Sequence, residues 1–347
     1  MQIKSRLIHQ ENFISLLRKQ IPGQINLAKD ISEVLEISID GAYRRLRSET
    51  AFSLDETVKI CVHYSIPLEA LNNEVQDVVT FQYTRLERNT EHFKMYFDQL
   101  IGQLAKIKRH EGAHIYYAAE DIPMFYHFGF QHLGLFKMFY WMKSIMNIPE
   151  YDASHFSSDF TEGMSETFPA LYDGYATVSS TEIWTNETIE STLQQVKFYW
   201  EAGFFQSTES AVSVLNDISS LLQRVSRQAE IGQKILFNGA SSGIPFNLYL
   251  CDLMIGSNSI HVTSESLRTT FIGYNTFNTI RTRNEVFNAQ HAEWLDNLRS
   301  KSIQVSGMAE KIRNQFFKAQ MRKVDMLKEQ IESEQKKAST SGAGFNS

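Results

Sequence analysis

The stretch Leu27-Ala28-Lys29-Asp30-Ile31-Ser32-Glu33-Val34-Leu35-Glu36-Ile37-Ser38-Ile39-Asp40-Gly41-Ala42-Tyr43-Arg44-Arg45-Leu46-Arg47 decides how the N-terminal part of this 347-residue chain is read. Leu27, Ile31, Val34 and Leu35 recur at steps of three and four, which gathers apolar side chains on one face of a helix. After Glu36-Ile37 the pattern restarts. Ser38 or Asp40 can cap a second short helix, with Ala42, Tyr43 and Leu46 expected to turn inward. Upstream, Phe13, Leu16, Leu17 and Ile21 form the apolar face of another helix, stopped by Pro22-Gly23. Downstream, Ser53 is followed three residues later by Glu56, the signature of a capping box, and the helix it opens carries Val58, Ile60, Cys61 and Val62. Ser65-Ile66-Pro67 restarts the chain into a fifth helix with Leu68 and Leu71. Residues 1–76 therefore read as a compact module of five short helices.

Beyond a linker at 77–84 the texture changes. Long helical patterns cover about 84–109, 121–147, 164–178, 185–203 and 207–236, and His114-Ile115-Tyr116-Tyr117-Ala118 reads as a short strand between the first two. From Phe246 the period shortens: Phe246 to Leu250, Ser259 to Thr263 and Thr269 to Ile280 read as a three-strand meander or as part of a small sheet. Helices resume over about 285–303 and 308–336, and the Ser/Thr/Gly-rich residues 337–347 read as a disordered tail. The expected fold class is mainly α. A five-helix N-terminal module precedes a larger, mostly helical domain over 85–336, with a small antiparallel sheet near 246–280.

Composition narrows the function classes. Thirty-four basic against 40 acidic residues give a net charge of −6, so the whole-chain charge makes no case for nucleic acid and any such case rests on a local site. A chain with 42% apolar and 21% charged residues is not collagen-like, mucin-like or wholly disordered. Cys61 and Cys251 stand far apart in apolar runs, forming neither a disulfide framework nor a zinc knuckle, which suits a reducing cytoplasm. Met1 to Leu7 lack the apolar run and cleavage site of a signal peptide. The longest uncharged run in the aromatic segment, Ile122 to Phe136, is 15 residues, short of the ~18 that suggest a membrane span, so no membrane association is expected.

A helix-turn-helix reads DNA because one short helix braces the backbone while the next lays its outer face in the major groove, which is ~12 Å wide. Ile31 to Ser38, Tyr43 to Glu49, Phe52 to Glu56 and His63 to Leu71 resemble, in order and character, the Cro/C1-type module of bacterial and phage repressors. The segment is most similar to a variant of Bacteroidetes regulators in which Tyr-Arg-Arg follows the turn. Two departures stand out: Glu36 occupies the turn position that usually holds Gly, and an inward Tyr43 and Leu46 require a turn one residue longer than standard. The resemblance implies duplex DNA as partner, with Ile39, Asp40 and Arg44 nearest the bases, Ser38, Arg45 and Arg47 nearer the backbone, and Tyr43 beside them. The bland alternative makes Arg44, Arg45 and Arg47 a solvated face, since residues 1–76 hold nine Lys/Arg against ten Asp/Glu.

Other chemistry is sparser. His110-Glu111-Gly112-Ala113-His114 matches the zinc-hydrolase pattern, which needs a continuous helix to align its two imidazoles. Gly112 and the β-favouring Ile115-Tyr116-Tyr117 argue against one. Asn238 to Gly243 lacks the Gly-Lys-Ser/Thr ending of a phosphate loop, and no catalytic, metal or cofactor set is expected. The aromatic helix offers Phe125, Tyr126, His127, Tyr140 and Trp141 as walls of an effector pocket. The strand region adds Tyr274, Asn275, Asn278, Thr279, Arg281 and Arg283 as polar groups to orient a ligand. An apolar seam, Ile312, Phe316 or Phe317, Met321, Val324, Leu327 and Ile331, suits either intramolecular docking or a homodimer. The expected function is a one-component transcriptional regulator with a C-terminal effector-sensing or dimerisation domain. The alternatives are a protein-interaction scaffold and the zinc hydrolase.

Overall fold

The computed structural model describes residues 7–20, 26–64, 66, 68, 78–157, 160 and 163–342. The chain divides into two compact units, Met1–Thr80 and Phe81–Ser347.

The first unit contains α1 (Ile8–Gln20), α2 (Leu27–Leu35), α3 (Ile39–Leu46) and α4 (Leu54–His63). The expected stop at Pro22-Gly23 and most of the expected fifth helix lie outside the described residues. Each start is capped from the sequence: the Asn26 and Ser38 side chains accept from the amides of Lys29 and Gly41, and Ser53 with Glu56 forms the reciprocal capping box. Phe13, Leu17, Ile31, Leu35, Ala42, Leu46, Ile60 and Cys61 close a single core. Gln10 ties α1 to the loop after α3, donating to the Arg45 and Thr50 carbonyls at 3.0 and 2.9 Å and accepting from the Phe52 amide at 2.8 Å.

The second unit overturns the expectation of a small antiparallel sheet. Among the described residues nine strands form one mixed sheet in the order β1-β8-β7-β6-β2-β3-β5-β4, with β9 also on β5. The strands are β1 (Gln82–Tyr83), β2 (His114–Ala118), β3 (Ser179–Trp184), β4 (Gln233–Ile235), β5 (Ser241–Leu250), β6 (Ser259–Thr263), β7 (Arg268–Asn275), β8 (Asn278–Thr282) and β9 (Ile303–Gln304). The three central strands β2, β3 and β5 run parallel, and the expected meander is only the antiparallel flank β6-β7-β8. The chain turns at Thr276 and Phe277, so the expected strand 269–280 is two strands.

The helices are α5 (Thr90–Lys108), α6 (Gln131–Tyr140), α7 (Phe168–Ala176), α8 (Glu190–Glu201), α9 (Thr208–Ile231), α10 (Glu285–Ser300) and α11 (Glu310–Gly342). The continuous helix expected over 121–147 is broken in three. A 3-10 segment, Met124–Gly129, follows Pro123, Phe130 is extended, and α6 ends in a π-helical turn, Trp141–Ile145. α11 continues to Gly342, past the position where a tail was expected to begin.

Most helices pack on one face of the sheet around a large aromatic core that includes Phe97, Phe128, Phe136, Trp141, Tyr172, Trp184 and Tyr199. α10 packs on the other side against β6 and β7, with Leu295 and Leu298 in a smaller cluster with Ala118, Ile183 and Cys251. The apolar seam of α11 is covered within the chain. Phe316, Phe317, Val324, Leu327 and Ile331 are buried, and α11 lies along α9 and α8. Lys328 donates to Asn216 of α9 at 2.9 Å, and Lys323 pairs with Glu190 of α8 at 2.6 Å. The seam supplies no free surface for a second copy; only Ile312 at its start is exposed. Among the described residues no helix is long and apolar enough to cross a membrane.

Candidate functional site

α2 and α3 are joined by the three-residue turn Glu36–Ser38, in which Glu36 adopts the left-handed conformation at φ 56°. This is the position where glycine would be free of the Cβ clash. The turn places Ala42 and Leu46, one helical turn apart, in the core. Tyr43 does not turn inward as expected; it is 43% exposed. With Ala42 inward, no extra turn residue is needed to account for the spacing.

The outer face of α3 is then a stripe. Asp40, Tyr43, Arg44 and Arg47 follow at steps of three, one and three and are all exposed, with Ser38 and the 50%-exposed Ile39 at the helix N-terminus. Six of the seven residues expected at a DNA interface are thus brought to one solvent face. Arg45 is the exception in kind. Its Nη2 and Nε fork onto Glu56 at 2.7 and 3.1 Å, and its Nη1 donates to the Gly41 carbonyl at 3.2 Å. Desolvation opposes ionisation of Glu56, but the Arg45 fork, the Ser53 amide and the charge of Lys59 together hold its carboxyl below the usual range. Arg47 pairs with exposed Glu49 at 2.9 Å, whereas Arg44 has no ion pair among the described residues. An unpaired arginine on an exposed helix face can meet a phosphate or the O6/N7 edge of guanine without first breaking a bond.

The zinc-like motif is not assembled on a helix. α5 ends at Lys108, Gly112 turns with φ 67°, and His114 opens β2. His110 Nδ1 lies 3.0 Å from Ser266 Oγ, while both nitrogens of His114 are engaged by Ser179 and Thr181 at 2.8 and 2.9 Å. Burial, then the charge of Lys234, pushes His114 down to about 4. Among the described residues no cluster of His, Cys, Asp or Glu is arranged to hold a metal.

The five aromatic-helix residues do not line one pocket. A cavity of about 180 Å³ lies between α5 and the antiparallel flank of the sheet, and of the five only Phe125 reaches it. Tyr126, His127 and Trp141 are packed in the core, and Tyr140 is half-buried. Of the strand-borne polar groups, Asn278, Thr279 and Arg281 do line the cavity. Tyr274, Asn275 and Arg283 are exposed.

The sequence reading missed a polar interior. Glu182 of β3 is completely buried and accepts from Tyr126 and Tyr175, both at 2.7 Å, and from Trp184 Nε1 at 3.0 Å. Burial and the Glu182 charge raise both phenols well above their ordinary range. Lys234 lies over the Tyr175 ring at 3.2 Å, and desolvation, against the pull of Glu182, brings its ammonium down to about 7. A second buried set joins Lys137 to Asp121 at 3.3 Å, to Thr192 at 2.6 Å and to Gln195 at 2.9 Å. Such groups are tolerated inside only when paired and hydrogen-bonded. His127 departs from that rule: neither of its ring nitrogens has a partner among the described residues, and burial keeps it neutral. No protein-family model, curated protein or solved structure matches the chain.

Proposed function

We propose that the chain is a sequence-specific DNA-binding transcriptional regulator, whose first unit is a Cro/C1-type helix-turn-helix reader and whose second unit senses an effector. The observation that carries this reading is the exposed stripe Asp40, Tyr43, Arg44 and Arg47 on α3, with Ser38 and Ile39 at its N-terminus and α2 packed behind it. The N-terminal end of a recognition helix is the part that meets base edges, and the residues further along it are suited to the backbone. Two copies reading paired half-sites would fit this geometry, with an interface elsewhere than the buried seam of α11. A protein-contact role for the same face is favoured by one observation, the exposure of the apolar Ile39 and Tyr43.

Salt separates the two. Anisotropy of labelled duplexes, selected from a random pool by the full chain, is measured between 50 and 200 mM salt. The expected result is a linear fall of log affinity with log salt, because bound phosphates release counterions. Arg44→Ala should cost about 1–3 kcal/mol on the selected site, and Arg47→Ala should reduce the salt slope by about one. Equal and weak binding by wild type and both variants at every salt concentration would overturn the reader and leave the protein-contact role.

A further inference from the structure

The cavity of the second unit has an apolar floor of Ile115, Ile260, Val262 and Phe271, and Leu100 and Leu104 of α5 form its roof. Among the described residues its lining includes no Asp or Glu, and the single charged group there is Arg281 on β8. The register sets Arg281 opposite Gln82 of β1 on one side and Phe271 of β7 on the other, so the guanidinium stands where apolar floor meets polar rim. Its Nε donates to Gln82 Oε1 at 3.1 Å, and the guanidinium has no carboxylate within ion-pair distance among the described residues. Desolvation, with the like charge of Arg283, disfavours the charged form. A half-buried cation without an anion is costly, and a ligand carboxylate is the group that relieves it bidentately.

We propose that this cavity binds a small amphipathic carboxylate, an aromatic or short acyl monoanion, with its apolar body between α5 and the sheet and its carboxylate on the terminal nitrogens of Arg281. Size supports this class. An apolar cavity of about 150 Å³ accepts benzene, so about 180 Å³ takes a single ring or a short acyl chain. Charge supports it too, since one lining cation matches a monoanion better than a phosphate dianion. Asn278 adds no competing demand: its Nδ2 donates to the Thr84 carbonyl and its Oδ1 accepts from the Thr279 amide, both at 2.8 Å. The site rests on the sensing half of the proposed function and not on DNA binding.

The test uses the full chain and no DNA, so its failure would remove the ligand and leave the reader standing. Benzoate, 3-phenylpropionate and hexanoate are titrated calorimetrically beside benzyl alcohol, 3-phenylpropanol and hexanol. At least one acid should bind at one site per chain, tenfold or more tighter than its alcohol. Arg281→Gln should erase that advantage while the alcohol still binds, and Leu100→Trp, filling the roof, should abolish both. If Arg281→Gln does not keep the native melt, the wild-type acid/alcohol ratio and Leu100→Trp decide alone. The proposal is overturned by the absence of saturable heat from all three acids at millimolar concentration, by equal affinity of acid and alcohol, or by unchanged binding in Leu100→Trp or in a folded Arg281→Gln.

Discussion

Arg44 and Arg45 are adjacent on α3 and differ in what holds them. Arg45 is forked onto Glu56, whose other obligation is the capping box of α4, so one carboxylate joins two helices. Arg45→Ala removes charge-assisted bonds from a pair whose side chains are only about a fifth exposed, and should lower the stability of the first unit by about 1–2 kcal/mol. Arg44→Ala should stay within about 0.5 kcal/mol of wild type. Hydrogen exchange of the α3 and α4 amides measures both, and equal protection in the two variants would refute the distinction. The sequence could not separate these arginines. Helical spacing reports which way a side chain points but not its partner, and the partner of Arg45 stands eleven residues along on another helix. The capping box was legible because both of its members are local. Tyr43 was misplaced because an aromatic ring fits an apolar face as well as an exposed one, and the one-residue shift from Ala42 decides which it joins.

At the scale of elements, α11 shows why a seam cannot be assigned from its period alone. The steps of three and four that suggest a second copy describe equally a helix laid along its own α9, and the core closes that way here. Val324→Asp places a carboxylate at a position 1% exposed and should cost several kcal/mol, whereas Met326→Asp, 70% exposed on the same helix, should cost less than about 0.5. Urea unfolding followed by tryptophan fluorescence measures both. The opposite result, an unchanged midpoint for Val324→Asp with a halved mass in light scattering, would return the seam to an interface between copies. The sheet was half legible for a related reason. β6 and β7 are set off by the turn residues Gly256-Ser257-Asn258 and Ser264-Glu265-Ser266, but β3 is central and buried along nearly its whole length, where an apolar run is the expected signal. Ser180, Thr181 and Glu182 occupy those buried positions, so the strand carries no pattern, and its absence hid the parallel centre of the sheet. The cavity was visible only through Phe125 of the aromatic segment and through Asn278, Thr279 and Arg281, polar residues of a strand whose one apolar member is Ile280.

At the scale of the whole second unit, buried histidines set an acid limit to stability. His114 lies between Ser179 and Thr181, and His261 Nδ1 lies 2.9 Å from Thr270 Oγ1 beneath α10. Desolvation brings both imidazoles down to about 4, aided at His114 by Lys234 and at His261 by His291 and Arg268. The unfolded chain takes up these protons near pH 6.5, whereas the folded chain refuses them until about pH 4. Between those values the unfolded state holds more protons, so the stabilising advantage is intact above pH 6.5 and is lost progressively as the pH falls towards 4. Each histidine should contribute a slope of up to about 1.4 kcal/mol per pH unit inside the window. All four tryptophans belong to this unit, so their fluorescence follows its unfolding without interference from the first. In urea titrations between pH 5 and 6.5, where carboxylates contribute little, His261→Gln keeps a polar group beside Thr270 and removes one titrating site. Its stability should therefore fall less steeply with acid than that of the wild type. Parallel pH profiles would mean that His261 takes up its proton as readily in the folded chain as in the unfolded one, and burial would then not be what holds it neutral.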